Sequence, residues 1–437
     1  MPAGTREMKY RKFGARLLAV ASTVGLALLI ASCGASNTVD FVYVTSNLQN
    51  PGQINVYELD SESGTIHQIA DSPYSSGGRN PVYEVASPNG QTLYVANHDD
   101  NTIVMFAIGT DGKLYPLQTV TTPGTEPVAL ALNSTGTELY VLDYYAPAAP
   151  NQPSYTDLNP GPGAVIAYPI SISASSGIGT LGTPVVSGGA NYFTTQCFPS
   201  NLTVTPNGNE VYVTNTNAVV VTTSPPVTGT IPTLPTSCPD YGTVSEFAVN
   251  GTASSSGQTV TGLTPLTNVP LSTGAGSQPT GIATDPDGST IYVTDSALNQ
   301  VYAYTVQSDG TLSLAATVPS GTEPMGATVA GTSSGGTFLY VTNYSDGSIS
   351  SYSLSGGIPT PLATTSAGTS GPTCVMIEPD LQRFLYTSDY IGGKIGGAEV
   401  NPSTGILSII LGSPYASAGQ PTCVVAIPHV GGRSNGL

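Results

Sequence analysis

Phe338-Leu339-Tyr340-Val341-Thr342-Asn343 is the stretch whose reading decides the fold. It joins aromatic and β-branched residues to an Asn that turns the chain, the composition of a short buried strand. Close variants recur at Tyr43-Val44-Thr45-Ser46, Tyr94-Val95-Ala96-Asn97, Tyr140-Val141-Leu142-Asp143, Tyr212-Val213-Thr214-Asn215, Tyr292-Val293-Thr294-Asp295 and Tyr386-Thr387-Ser388-Asp389. One short strand cannot bury both of its faces, so seven copies predict a repeat architecture.

Around each copy lie three further segments. A strand opening on proline precedes it, as in Pro279-Thr280-Gly281-Ile282-Ala283, and a turn such as Pro286-Asp287-Gly288 joins the two. Proline sets φ and glycine accepts a positive φ there. A strand ending in an aromatic follows, such as Val301-Tyr302-Ala303-Tyr304, then a fourth after Asp309-Gly310. Four antiparallel strands (A to D), repeated seven times, predict an all-β, seven-bladed propeller over residues 41–428. The first repeat lacks strand A, and the last is followed by a surplus one, Pro421 to Pro428. The C-terminal strand is therefore expected to complete the first blade and remove an open edge. Residues 429–437 read as a Gly-rich tail.

The Tyr-Val-Thr-Asn units and Pro-Asn-Gly turns resemble the YVTN-repeat propellers and the seven-bladed lactonase family, which includes 6-phosphogluconolactonase-like proteins. The resemblance covers residues 41–428. It implies a propeller fold and, as one function, ring opening of a sugar lactone. That family places His early in strand A, whereas the matching positions here are Pro81-Val82-Tyr83 and Glu126-Pro127-Val128.

The chain begins differently. Arg6, Lys9, Arg11, Lys12 and Arg16 precede an apolar run from Leu17 to Ile30, then Ala31-Ser32-Cys33. This reads as a secretory leader over residues 1–32. It resembles the lipobox of bacterial lipoproteins, which implies lipid on Cys33 and a tether over 33–40. The competing reading, a single transmembrane anchor, needs a longer apolar run. Gly34 after the cysteine favours the outer membrane, at its periplasmic face, or the cell surface. The net charge of the whole chain is −17, and five of its ten basic residues lie in the leader. So acidic a remainder repels nucleic acid and anionic head groups. The membrane is expected as a partner only through the lipid, and the protein is expected to be a monomer.

Intervals between successive strand-B tyrosines are 51, 46, 72, 80, 48 and 46 residues. The long ones place insertions at Tyr144 to Gly163, Ala190 to Cys197 and Thr216 to Gly242. B–C and D–A loops open on one face, so the insertions decorate one mouth of the channel. Residues after strand B share that mouth: Asn97, His98, Asp99, Asp100, Asp143, Tyr144, Asp295, Asn343 and Asp389. With Arg79 and Tyr83 they are the candidate ligand-binding set. The competing reading is that Asx side chains cap their own turns. Of the three histidines, His67, His98 and His429, only His98 belongs to this mouth. No triad order, metal-ligand run, Rossmann loop or phosphate loop appears, so neither metal nor cofactor is expected. Two functions stay open: an envelope binding or scaffold protein for a glycan or protein ligand, and a lactonase-type hydrolase. Four cysteines remain after Cys33, an even number in an exported chain. Cys197 and Cys238 flank one mouth, and Cys374 and Cys423 hold equivalent positions on neighbouring strands A. Each pair is expected to form a disulfide.

Overall fold

A computed structural model describes residues 38–428, apart from 158, 217–237, 240, 255–256, 272–275, 332–334, 367 and 369. The leader, Cys33, His429 with the tail, and most of the Thr216–Gly242 insertion lie outside the described residues. Seven antiparallel sheets form the blades of a β-propeller. Strands A are Pro81–Ala86, Thr125–Leu132, Pro199–Val204, Pro279–Thr284, Pro324–Gly331 and Pro372–Ile377 in blades 2 to 7. In blade 1 that place is taken by Pro421–Pro428, which pairs with Thr38–Ser46 from Asp40↔Pro428 to Ser46↔Pro421. The closure expected from the missing first strand is thus present.

The recurring tyrosine explains itself in three dimensions. Tyr43, Tyr94, Tyr140, Tyr212, Tyr292, Tyr340 and Tyr386 are fully buried between blades. Five of them donate their hydroxyl to a glycine carbonyl in the C–D turn of the next blade. Tyr43 reaches Gly112 at 3.0 Å, Tyr212 Gly310 at 2.8 Å, Tyr292 Gly357 at 3.0 Å, Tyr340 Gly405 at 3.0 Å and Tyr386 Gly64 at 2.6 Å. The ring fills the apolar space while its hydroxyl satisfies a turn carbonyl, so one residue type supplies packing and register. The threonine two places on acts within the blade. Thr294 Oγ1 accepts the Gly281 amide at 2.7 Å, and Thr342 Oγ1 that of Gly326 at 2.8 Å, where strand A bulges after its proline.

Two details depart from the expected layout. Phe193–Cys197 is no loop: it pairs with strand C of blade 3, Pro162–Ile172, as the second half of a broken outer strand. In blade 4 strands C and D run as a long hairpin, Thr243–Ser254 against Gly257–Pro270. Part of the longest tyrosine interval is therefore hairpin and leaves from the face opposite the mouth.

The seam between blades 7 and 1 is locked twice. Besides strand pairing, Cys374 and Cys423 form a disulfide with Cα atoms 5.0 Å apart. At sevenfold spacing that separation sets a radius of about 6 Å for the inner strands, narrow enough for side chains to fill. The Cys197–Cys238 disulfide is also formed. Replacing both Cys374 and Cys423 with serine is expected to lower unfolding stability by about 4 kcal/mol, from the chain-entropy argument for a loop of this length. Denaturant titration of the variant against the parent checks it.

The seam also holds a buried acid. Asp40 is fully buried, with both carboxyl oxygens unpartnered among the described residues. Burial, then the nearby charges of Glu378 and Asp380, push its pKa up to about 9. An acid whose folded pKa lies above its unfolded value binds its proton more tightly when folded. Its contribution is full below pH about 4 and is lost as pH rises through about 9. The melting temperature is therefore expected to fall between pH 6 and 9, and Asp40→Asn is expected to flatten that slope.

Candidate functional site

The residue before the strand-A proline sits at the mouth in an unusual conformation. Asn80, Glu126, Phe198 and Glu323 take φ values of 51°, 59°, 53° and 53°. The left-handed region disfavours a side chain such as Glu, so the surroundings must hold it there. They do so through both backbone groups. The carbonyls of Asn80, Phe198 and Glu323 accept the amides of His98, Thr216 and Tyr344 at 3.0, 3.0 and 2.8 Å. The Glu126 amide donates to Asn101 Oδ1 at 2.7 Å, and the Glu323 amide to Asn299 Oδ1 at 2.8 Å.

Blades 2 and 3 and blades 5 and 6 therefore present the same frame twice: an Asn of the B–C turn holding a left-handed Glu. What the turn carries differs. Before Asn299 stand Ser296, Ala297 and Leu298; before Asn101 stand His98, Asp99 and Asp100, in a single 3-10 turn. The fold thus contains its own control: both places keep the glutamate, and a histidine with two aspartates fills the B–C turn at one of them.

There the side chains form a connected array. His98 Nδ1 lies 2.8 Å from Asp99 Oδ1, and its Nε2 3.8 Å from Glu126 Oε2. Asn80 Nδ2 donates to Asp99 Oδ1 at 3.0 Å. Arg79 donates from Nε and from its backbone amide to the two oxygens of Asp100, at 2.6 and 2.7 Å, and from Nη2 to the Asp99 carbonyl at 2.9 Å. Burial raises the Asp99 carboxyl, but hydrogen bonds from Asn80 and His98 outweigh it and hold it below the usual carboxylate range. Glu126 is pushed up, chiefly by burial, with His98 opposing and Asp157 and Asp99 adding. An oriented imidazole thus faces a carboxyl of raised proton affinity.

The third blade's insertion walls this array. Tyr145 donates to Asp157 Oδ1 at 2.9 Å and stacks edge-on with Tyr144 at 4.8 Å. Tyr144 lies 5.7 Å from Phe198, and these rings pack on the Cys197–Cys238 disulfide. Burial, then Asp157 and Glu126, keep the Tyr144 phenol protonated.

Of the candidate set, Arg79, His98, Asp99, Asp100 and Tyr144 are brought together here. The others are not. Asn97, Asp143, Asp295, Asn343 and Asp389 end their strands B fully or almost fully buried. Four accept a backbone amide of the loop entering their own blade: Asp143 from Gly124, Asp295 from Gln278, Asn343 from Gly321 and Asp389 from Ser370, at 2.8 to 3.1 Å. Asn97 instead donates to the Ser76 carbonyl of its loop at 3.3 Å. These five hold the mouth's backbone. Tyr83 lies in the channel facing Asn201, its phenol raised by burial. Glu126, Asn80 and Asp157 were not in the set. The repeated Gly124-Thr125-Glu126-Pro127 and Gly321-Thr322-Glu323-Pro324 was the signal for the first. Among the described residues no group of three or more His, Cys, Asp or Glu is arranged to hold a metal.

Fold and mouth together define a seven-bladed propeller with an acid–base array at one rim. The family model for lactonase seven-bladed β-propellers matches residues 34–146 and 256–373, more than half of the chain, and the chain belongs to that family. No curated protein matches it in sequence. Among solved structures, a presumed 6-phosphogluconolactonase of Bacteroides uniformis is similar at TM-score 0.65 and 17% identity, over 90% of this chain and 100% of that one. The periplasmic gluconolactonase PpgL of Pseudomonas aeruginosa is similar at TM-score 0.62 and 17% identity, over 89% and 99%. A presumed 6-phosphogluconolactonase of Bacteroides fragilis follows at 0.61 and 17%, over 90% and 99%.

Proposed function

We propose that the protein is an exported hydrolase that opens the ring of an uncharged sugar lactone at the array of His98, Asp99 and Glu126. The observation that carries this reading is the pairing of His98 with Glu126 at one of two equivalent frames. Family membership favours it over the binding or scaffold role that the sequence also allowed. Ring opening needs one group to take the proton of an attacking water and another to protonate the departing ring oxygen. Glu126, with its raised proton affinity, takes the first. His98, in its imidazolium form, delivers the second from Nε2, while Asp99 fixes the ring through Nδ1, the orienting role of a triad acid; the proton taken up by Glu126 then returns to Nε2 across their 3.8 Å contact. Tyr144 is a neutral donor beside Glu126.

Charge argues against a phosphorylated substrate. Arg79 is already committed to Asp100, and Asp99, Glu126 and Asp157 surround the histidine. A phosphate dianion placed there meets like charge. Export is supported by the two disulfides and the basic, apolar leader; lipid on Cys33 belongs to the same proposal. No helix among the described residues is long and apolar enough to cross a membrane. The test is turnover of glucono-1,5-lactone against its 6-phosphate, followed by acid release. The first is expected to be hydrolysed at least about tenfold faster in kcat/KM, the size of one unfavourable charge contact of ~1.4 kcal/mol. Equal or reversed rates contradict the charge argument, and absence of both contradicts the hydrolase.

A further inference from the structure

Beside the array lies a second feature that the proposed chemistry does not use. An open cleft of about 460 Å³ separates the B–C turn of blade 1 from blade 2. Amides of Asn47, Gln49, Asn50, Asn80 and Gln420 line it, with Leu48 beside them. Its volume is within the range of sites that take a small ligand. Asn80 and Asp99 border the cleft and also belong to the array, so the two are contiguous.

The lining has a specific chemistry. Side-chain amides donate and accept at once, which suits hydroxyl groups that do the same; Asn47 and Asn80 are spent on one another and on Asp99, and those of Gln49, Asn50 and Gln420 are left for a ligand. Leu48 is 63% exposed and offers an apolar surface to the C–H face of a sugar ring. The two charged groups at the border are already engaged. Arg79 is held by Asp100, and Asp99 by Asn80 and His98. Nothing in the cleft calls for a charged ligand. The blade-1 turn is also braced from behind: Asn47 Nδ2 donates to Asn80 Oδ1 at 3.1 Å, and the Asn47 amide to the Gln420 carbonyl at 3.1 Å. The wall stands before any ligand arrives, which limits the ordering cost of binding.

We infer that this cleft is a subsite for a neutral glycosyl unit, so that the preferred substrate is an aldonolactone carrying a further sugar rather than a free monosaccharide lactone. The inference rests on the proposed hydrolase only for where the lactone ring sits. Binding of the glycosyl unit is measurable without turnover.

Two measurements on the purified protein separate the claims. Calorimetry compares lactitol, a neutral galactosyl-sorbitol that cannot be hydrolysed, with sorbitol. Kinetics compares lactobionolactone with glucono-1,5-lactone. Lactitol is expected to bind about tenfold more tightly than sorbitol, the worth of one or two added hydrogen bonds. Gln420→Ala and Gln49→Ala are each expected to remove about fivefold of that advantage, and to draw the kcat/KM ratio of the two lactones toward one. Gln49 is exposed, so its replacement keeps the fold and serves as the second variant. Hydrolysis of gluconolactone with lactitol bound no better than sorbitol overturns the subsite. Lactitol binding that falls in both variants, with no lactone hydrolysed, upholds the subsite and removes the hydrolase.

Discussion

His98→Ala is expected to lower kcat/KM for glucono-1,5-lactone by about 10²–10⁴-fold, the usual contribution of a positioned proton-transfer group. The loss should fall on kcat, because the imidazole acts on the ring oxygen as it departs and adds little to ground-state binding. Asp99→Asn is expected to cost at least about tenfold by the same assay. It removes the charge that holds Nδ1 while leaving a side chain of the same shape. Glu126→Gln removes the partner across the 3.8 Å gap and should match the histidine variant. The two together should cost little more than either alone, since they act on one proton path. Leu298→Ala, in the equivalent turn of blade 5, is the internal control and should leave turnover unchanged.

Ending the chain after Gln420 is expected to give no soluble folded protein. The cut removes the strand that pairs with Thr38–Ser46, and with it the buried Val424 and Ile427. It also removes Cys423, and so the disulfide that ties blade 7 to the closing strand. Blade 1 is then left with an open inner edge, a template for pairing with another chain. A graded version is Ile427→Ala, expected to cost about 2–5 kcal/mol as a truncation of a buried aliphatic. Expression with size-exclusion chromatography reads the first, and denaturant titration the second.

The architecture is legible in the chain because each Tyr-Val unit carries its own strand signal and turn. The staggered ends announce closure for the same reason: a missing strand A and a surplus one are visible by counting. Cys374 and Cys423 could be paired because they stand at equivalent positions of neighbouring repeats. The broken outer strand of blade 3 was not legible, since Phe193–Cys197 is short, preceded by Gly188 and Gly189, and defined only by its partner in strand C.

The site divides in the same way. His98, Asp99 and Asp100 stand out as charges following a strand, and the structure gathers them. Asp143 and Asp295 carry the same local signal yet are consumed by backbone amides of their own blades. Local sequence cannot separate the two cases, because the difference lies in which loop passes overhead. Glu126 shows the converse. It stood in the sequence beside a place where the family has histidine. Its role depends on a left-handed backbone held by Asn101 from another blade, a contact that no window around it contains.

The most direct measurement is a crystal structure of the protein soaked with a gluconolactam, a stable mimic of the lactone ring. The lactam carbonyl and ring nitrogen are expected within hydrogen-bonding reach of His98 Nε2 and Glu126, between blades 2 and 3. Density instead at the equivalent frame around Glu323, or on the face opposite the mouth, would contradict it.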